Sequence, residues 1–228
     1  MKEIKKIKNL SIWVFILPFF ALNTCLILIT NFHQFFPNQE HILWNTIPYI
    51  DGGASISRTA RVFPTYLIFK PAMFLTSYLL IKYWVYNHSL MKIADTTLKY
   101  RKYFLFFGIG SAILLIIHSI LLGIKFDISI YKFFRRFVML FFIIFEIVAQ
   151  TYLVINLYKV KDKLINYINS KILIVKIFLV SSLILVALIC IPIVSMPGHK
   201  FFKHALEWNY FLGVISFYLL TYFLWKKR

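Results

Sequence analysis

The chain has 228 residues, of which 61% are hydrophobic, 19% aromatic and 15% charged, and its 26 Lys and Arg against 8 Asp and Glu leave a formal net charge of +18. A soluble domain is about 45–50% apolar and about 25% charged, so this composition excludes a disordered chain and argues against an ordinary soluble globule. The basic residues sit in short clusters between long apolar runs, not in one module, which speaks for a multi-pass membrane protein and against a nucleic-acid binder.

A helix needs about 20 mostly apolar residues to cross a bilayer. The first such run, 11–31, comes after Lys2, Lys5, Lys6 and Lys8 and so imitates a signal peptide. It is too long for the apolar region of a leader and has no small-x-small cleavage site after it, so it reads as a retained helix. A long connection, 32–63, comes next, and then the runs 64–86, 103–124, 134–157, 172–193 and 205–225. They are continuously apolar with no period-2 alternation, which predicts helices and not barrel strands. The expected fold class is therefore all-α: one integral membrane bundle of six transmembrane helices, a single domain over 1–228. Internal repeats, low-complexity tracts and soluble appendages are missing from the sequence. With six spans both termini share a side. That side carries 17 of the 26 Lys and Arg, the other side 9, so the positive-inside rule places the termini in the cytoplasm. In a bacterium the location would be the inner or cell membrane.

Cys25 and Cys190 fall inside predicted spans and read as small apolar packing residues. The 32–63 connection is longer than a compact domain ordinarily needs and holds aromatics with few charges, the profile of a functional loop. Within it Pro48 fixes a backbone angle, and Asp51-Gly52-Gly53 supplies a turn able to enter left-handed conformations. The segment 55–61 has two readings of equal standing. Ser55 and Ser57 with Arg58 and Arg61 could build an anion-binding nest, or Ser55 or Ser57 caps a helix leading into the second span.

Pro48, Tyr49, Ile50, Asp51 and Gly53, placed after a first span, resemble the motif of the Frag–DRAM–Sfk family of six-span membrane proteins, which also includes the amino-terminal domain of the Cwh-type proteins. Glu207-Trp208 at the start of the last span resembles that family's acidic-aromatic pair. The Ser usual before Asp is missing here, and Ser-Ile-Ser-Arg replaces the Pro-Glu step after the Gly. The resemblance covers nearly the whole chain. It implies a lipid-associated membrane role, in lipid remodelling or membrane organisation, without implying a reaction.

A charge near the bilayer centre costs at least about 2.5–3.5 kcal/mol on insertion scales, so ionisable residues inside spans are functional candidates. Glu146 lies about ten residues past Arg136, about 15 Å deep, with Gln150 one turn on. His118 lies in the third span, Lys70 near the start of the second and Glu207 at the start of the sixth. Together with Asp51 and Arg58 these residues predict one outward-facing polar pocket for a phospholipid or glycolipid head group. Each has a plainer reading. Lys70 snorkels to the interface, Glu207 pairs with Lys203 or His204, His118 bonds a neighbouring helix, and Glu146 joins a structural pair with a Lys or His. Metal-ligand spacing and cofactor motifs are lacking, so no cofactor is expected, and the expected partners are membrane lipids. The alternatives are an intramembrane enzyme acting on a lipid through Asp51, His118 and Glu146, or a proton-coupled transporter using Glu146.

Overall fold

The computed structural model describes residues 2–38, 41–124, 128–195 and 198–226, with side chains for all of these except 191–195. Lys125, Lys227 and Arg228, which enter the count of basic residues, lie outside the described residues. Six long helices are present among the described residues: α1 (Lys2–Asn31), α3 (Thr65–Ala94), α4 (Arg101–Leu121), α5 (Ser129–Lys159), α6 (Ser170–Ser195) and α7 (Lys200–Leu224). Between α1 and α3 the long connection adds a single 3-10 turn, His33–Phe35, and a short helix, α2 (Ile56–Ala60). Each long helix contains most or all of one apolar run and usually extends beyond it at its charged ends.

Four of the six, α1, α4, α5 and α6, are long and apolar enough to cross a membrane. The expected six spans are thus matched in length by six helices and in apolarity by four. The shortfall in α3 and α7 has a physical source. Lys70, Lys82 and Lys92 punctuate α3, and Lys200, Lys203 and Glu207 load the start of α7, while Tyr and Trp take five positions of α3 and four of α7.

Sequence neighbours are spatial neighbours throughout. α1 packs on α3, α3 on α4, α4 on α5, α5 on α6, α6 on α7, and α7 returns to α1. The helices close a ring, and its interior is one hydrophobic cluster running from Ile7 and Leu22 on α1 through Trp84, Phe104, Leu153 and Val180 to Phe217 on α7. Gly108 has no side chain because the Trp84 ring occupies the place where a Cβ would stand. A second, smaller cluster of Ile29, Phe36, Ile42, Leu43, Ala54 and Val62 lies under the long connection.

The end of the ring that holds the termini is stitched by backbone and lysine contacts. Lys8 donates to the Trp225 carbonyl at 2.9 Å, the Asn169 amide to Leu224 and the Lys226 amide to Tyr167, each at 2.9 Å. Lys163 pairs with Asp95 at 2.7 Å across two loops. Lys163 first, then the Thr97 hydroxyl and amide, hold the Asp95 carboxyl well below the usual carboxylate range.

Candidate functional site

At the opposite end the long connection folds over the start of α7. Its pivot is the Asp51 turn. The carboxylate accepts from the Ile47 amide at 2.7 Å, the Gly53 amide at 2.8 Å and the Thr46 hydroxyl at 2.8 Å. Some desolvation opposes ionisation, but these three donors hold the Asp51 carboxyl below its ordinary range. Gly52 sits at φ +63°, and the Phe201 carbonyl oxygen fills the place of any Cβ, so only glycine fits. Four contacts then fasten the turn to α7. His204 Nδ1 lies 2.9 Å from the Gly52 carbonyl. Asn209 donates to the Tyr49 carbonyl at 2.7 Å and Trp208 Nε1 to the Ala54 carbonyl at 2.9 Å. The rings of Tyr49 and Trp208 pack with centroids 4.9 Å apart. The two stretches that carry the family resemblance, 48–53 and Glu207-Trp208, therefore form one structural unit. Ser55 caps α2, accepting from the Arg58 amide at 3.2 Å, which is the helix-capping alternative of the two readings.

A second polar centre lies inside the ring. Glu146, 1% exposed, accepts from Ser111 on α4 at 2.6 Å, from Gln150 one turn along α5 at 3.0 Å and from the Tyr218 hydroxyl on α7. Gln150 also donates to the Val214 carbonyl of α7 at 3.2 Å. Towards the termini the network continues through aromatic contact, since the Tyr83 and Tyr218 rings lie 5.0 Å apart. The Tyr83 and Thr221 hydroxyls are hydrogen-bonded at 3.1 Å. Lys176 on α6, fully buried, donates to Thr221 and stands 3.6 Å from the centre of the Phe217 ring. Among the described residues the interior thus holds one carboxyl and one amine, bridged by side chains of α3 and α7.

The six residues expected to share a pocket are not joined to one another by hydrogen bonds or ion pairs among the described residues. Asp51 serves its own turn. Arg58 is half-buried on α2. Lys70 lies 5.8 Å from the Tyr66 ring centre, on its own helix, as a snorkelling side chain does. Glu207 faces the Ile56 amide at the start of α2, tying α7 to the connection. His118 is buried near the C-terminal end of α4, its Nδ1 without a partner among the described residues. Glu146 belongs to the interior network. Its partners are hydroxyls and an amide, not the Lys or His of a structural pair. Cys25 is buried and its thiol reaches the Thr65 carbonyl at 3.3 Å.

The sequence reads Tyr83 and Tyr218 as belt aromatics, gives Thr221 no role and counts Lys176 only as a cytoplasmic charge. The available signal was the one that singled out Glu146, an ionisable residue with apolar residues on both sides. Among the described residues no group of three or more His, Cys, Asp and Glu could hold a metal ion. Comparison of the chain with protein-family profiles, with curated proteins and with solved structures returns no match.

Proposed function

We propose that this is a six-span membrane protein with cytoplasmic termini that handles membrane lipid at its outer face. The four strongly apolar helices support membrane insertion. The ring order supports membrane passage of the other two, since α3 lies between α1 and α4, and α7 between α6 and α1. Their buried polar groups, among them Thr76, Ser77 and Asn87 on α3 and Thr221 on α7, lie against protein instead of lipid.

One observation carries the lipid reading. The loop pinned to α7 by His204, Trp208 and Asn209 turns apolar side chains outward at the level where the helices end, with Trp44 68% and Ile50 81% exposed. Aromatic and aliphatic groups placed so, on a rigid support, are the chemistry of an interfacial lipid contact. The Frag–DRAM–Sfk resemblance agrees with it. Native mass spectrometry of the protein released from membranes in mild detergent tests the reading. Retained lipid is expected on the wild type, and less of it on Gly52→Ala, which forces the loop off α7. Wild-type protein that retains no lipid would overturn it.

The Glu146–Lys176 interior favours a second reading, proton-coupled transport, because both groups lie deep in the ring. A pH-driven flux in proteoliposomes that disappears in Glu146→Gln would select it.

A further inference from the structure

A recess opens where the outer ends of α4 and α5 meet the long connection. Its volume is about 320 Å³, and His41, Arg61, Phe63, Gly123 and Arg135 are among its walls. Gly123 turns the chain at φ +86°, bringing the α4–α5 connection to within 3.1 Å of the Arg61 carbonyl, measured from a Cβ placed on the glycine. Among the described residues the side chains of Arg61 and Arg135 have no hydrogen-bond or ion-pair partner, and no carboxylate lines the recess. Partial burial, and then the positive charges of Arg135 and Arg58, push the Arg61 guanidinium below its ordinary range. Arg61 and Arg135 share the walls of the recess, and among the described residues no carboxylate offsets their charge. Guanidinium groups held together against their mutual repulsion fit a phosphate, which accepts paired N–H donors from each.

Below the recess, α4 and α5 form a second hollow of about 320 Å³ with apolar walls, Gly110, Ile113 and Ile117 facing Phe137, Phe141 and Phe145. The spacing on each helix keeps to one face. From Phe134 at its outer end to Phe145 the groove runs about 16 Å at 1.5 Å per residue. Phe145 closes its inner end across Gly110, where a Cβ would stand 2.6 Å from the ring. Phe134 of the groove and Arg135 of the recess are consecutive on α5. A charged recess thus sits over an apolar slot, which is the shape of one amphiphile.

We propose that Arg61 and Arg135, with His41, bind the phosphate of an anionic phospholipid of the outer leaflet, one acyl chain of which lies in the α4–α5 groove. The proposal rests on the lipid-handling reading and gives it a site and a ligand class. A soluble anion would use the recess and leave the groove idle, a lipid without a phosphate would leave two guanidiniums unpaired, and a zwitterionic phospholipid would bring its own cation beside them, which disfavours it against an anionic one.

The test uses the full chain in nanodiscs of phosphatidylcholine with and without phosphatidylglycerol, with bound lipid read by native mass spectrometry and inorganic phosphate as the second probe. Phosphatidylglycerol is expected to be retained selectively, and R61Q and R135Q each to weaken it about tenfold or more, the worth of a lost charge-assisted hydrogen-bond pair. R136Q, an exposed neighbour outside the recess, is expected to leave binding unchanged. I113W fills the groove and is expected to weaken the lipid while leaving any response to inorganic phosphate intact, so it decides the matter should either arginine variant fail to fold. Selective lipid binding unaffected by R61Q, R135Q and I113W would overturn this site and leave the lipid-handling reading standing. Wild-type protein that binds no lipid would overturn both. Competition by inorganic phosphate together with no effect of I113W would overturn the lipid as the occupant.

Discussion

Replacing Glu146 by Leu removes the acceptor on which Ser111, Gln150 and Tyr218 converge. The loss is not three equal bonds. Ser111 keeps the Gly108 carbonyl at 2.9 Å and Gln150 keeps the Val214 carbonyl at 3.2 Å, whereas the Tyr218 hydroxyl loses its partner. Hydrogen bonds in membrane interiors are worth about 0.6 kcal/mol on average and up to about 1.7, so three lost bonds span about 2–5 kcal/mol. The retained acceptors put Glu146→Leu in the lower half of that range, about 2–3 kcal/mol, and Leu is close enough in volume to add little cavity cost. Glu146→Gln keeps an oxygen that accepts two donors and is expected to cost about 1 kcal/mol. Reversible unfolding by SDS in mixed micelles measures both. The decisive variant is Glu146→Leu with Tyr218→Phe, which deletes the stranded hydroxyl and is expected to recover about 1 kcal/mol. Stability of Glu146→Leu within about 0.5 kcal/mol of wild type, or a Tyr218→Phe cost that simply adds, would refute the reasoning.

Lys176→Met is expected to change stability by less than about 1 kcal/mol, because the buried amine has one hydrogen-bond acceptor and one ring face to offset its burial. Thr221→Val strands both Lys176 and Tyr83 and is expected to cost about 2–3 kcal/mol; the opposite ranking in the same SDS titration would contradict the network. Asp95 has its pKa lowered in the fold by Lys163 and Thr97, so its contribution is present above the unfolded value of 3.8 and fades as pH falls through the lower folded value. Wild type is therefore expected to melt above Asp95→Asn at neutral pH, with the gap closing only below about pH 4; a gap independent of pH would count against the pair. Gly52→Ala meets both a positive φ and the Phe201 carbonyl, while Gly198 shares the positive φ with nothing within 4 Å. Gly52→Ala is expected to cost more than about 2 kcal/mol and to open residues 47–53 to protease, and Gly198→Ala to cost about 1. Equal effects in limited proteolysis and melting would refute the clash.

The helices were legible because run length and apolarity are local properties. The number that cross a membrane was less so, since the polar residues of α3 and α7 are tolerable only against ring neighbours that the sequence does not reveal. Glu146 stood out as a charge deep in an apolar run. Lys176 carries the same signal and was absorbed into the positive-inside count because it lies six residues into its helix. Asp51 was legible as a turn former, but its expected place in a shared pocket is not where its bonds go, since three local donors occupy its carboxylate. The contact between 48–53 and Trp208 joins segments more than 150 residues apart, and only the family resemblance hinted at it. Arg61 reads in the sequence as a charge partner of an anion-binding nest with Ser55, Ser57 and Arg58, and nothing local joins Arg135 to it. Their meeting in one recess depends on the α4–α5 turn at Gly123, which has no local sequence pattern.

The most direct test of the six-span topology is side-resolved labelling of single cysteines, introduced after Cys25 and Cys190 are replaced by Ala. Trp44→Cys and Thr97→Cys flank α3, and His199→Cys and Lys226→Cys flank α7, the two helices whose passage is proposed. Positions 44 and 199 are expected to react with an impermeant thiol reagent on intact cells, and positions 97 and 226 only after permeabilisation. Reaction of 44 and 97, or of 199 and 226, from the same side would remove a span and with it the outer-leaflet placement of the loop and the recess.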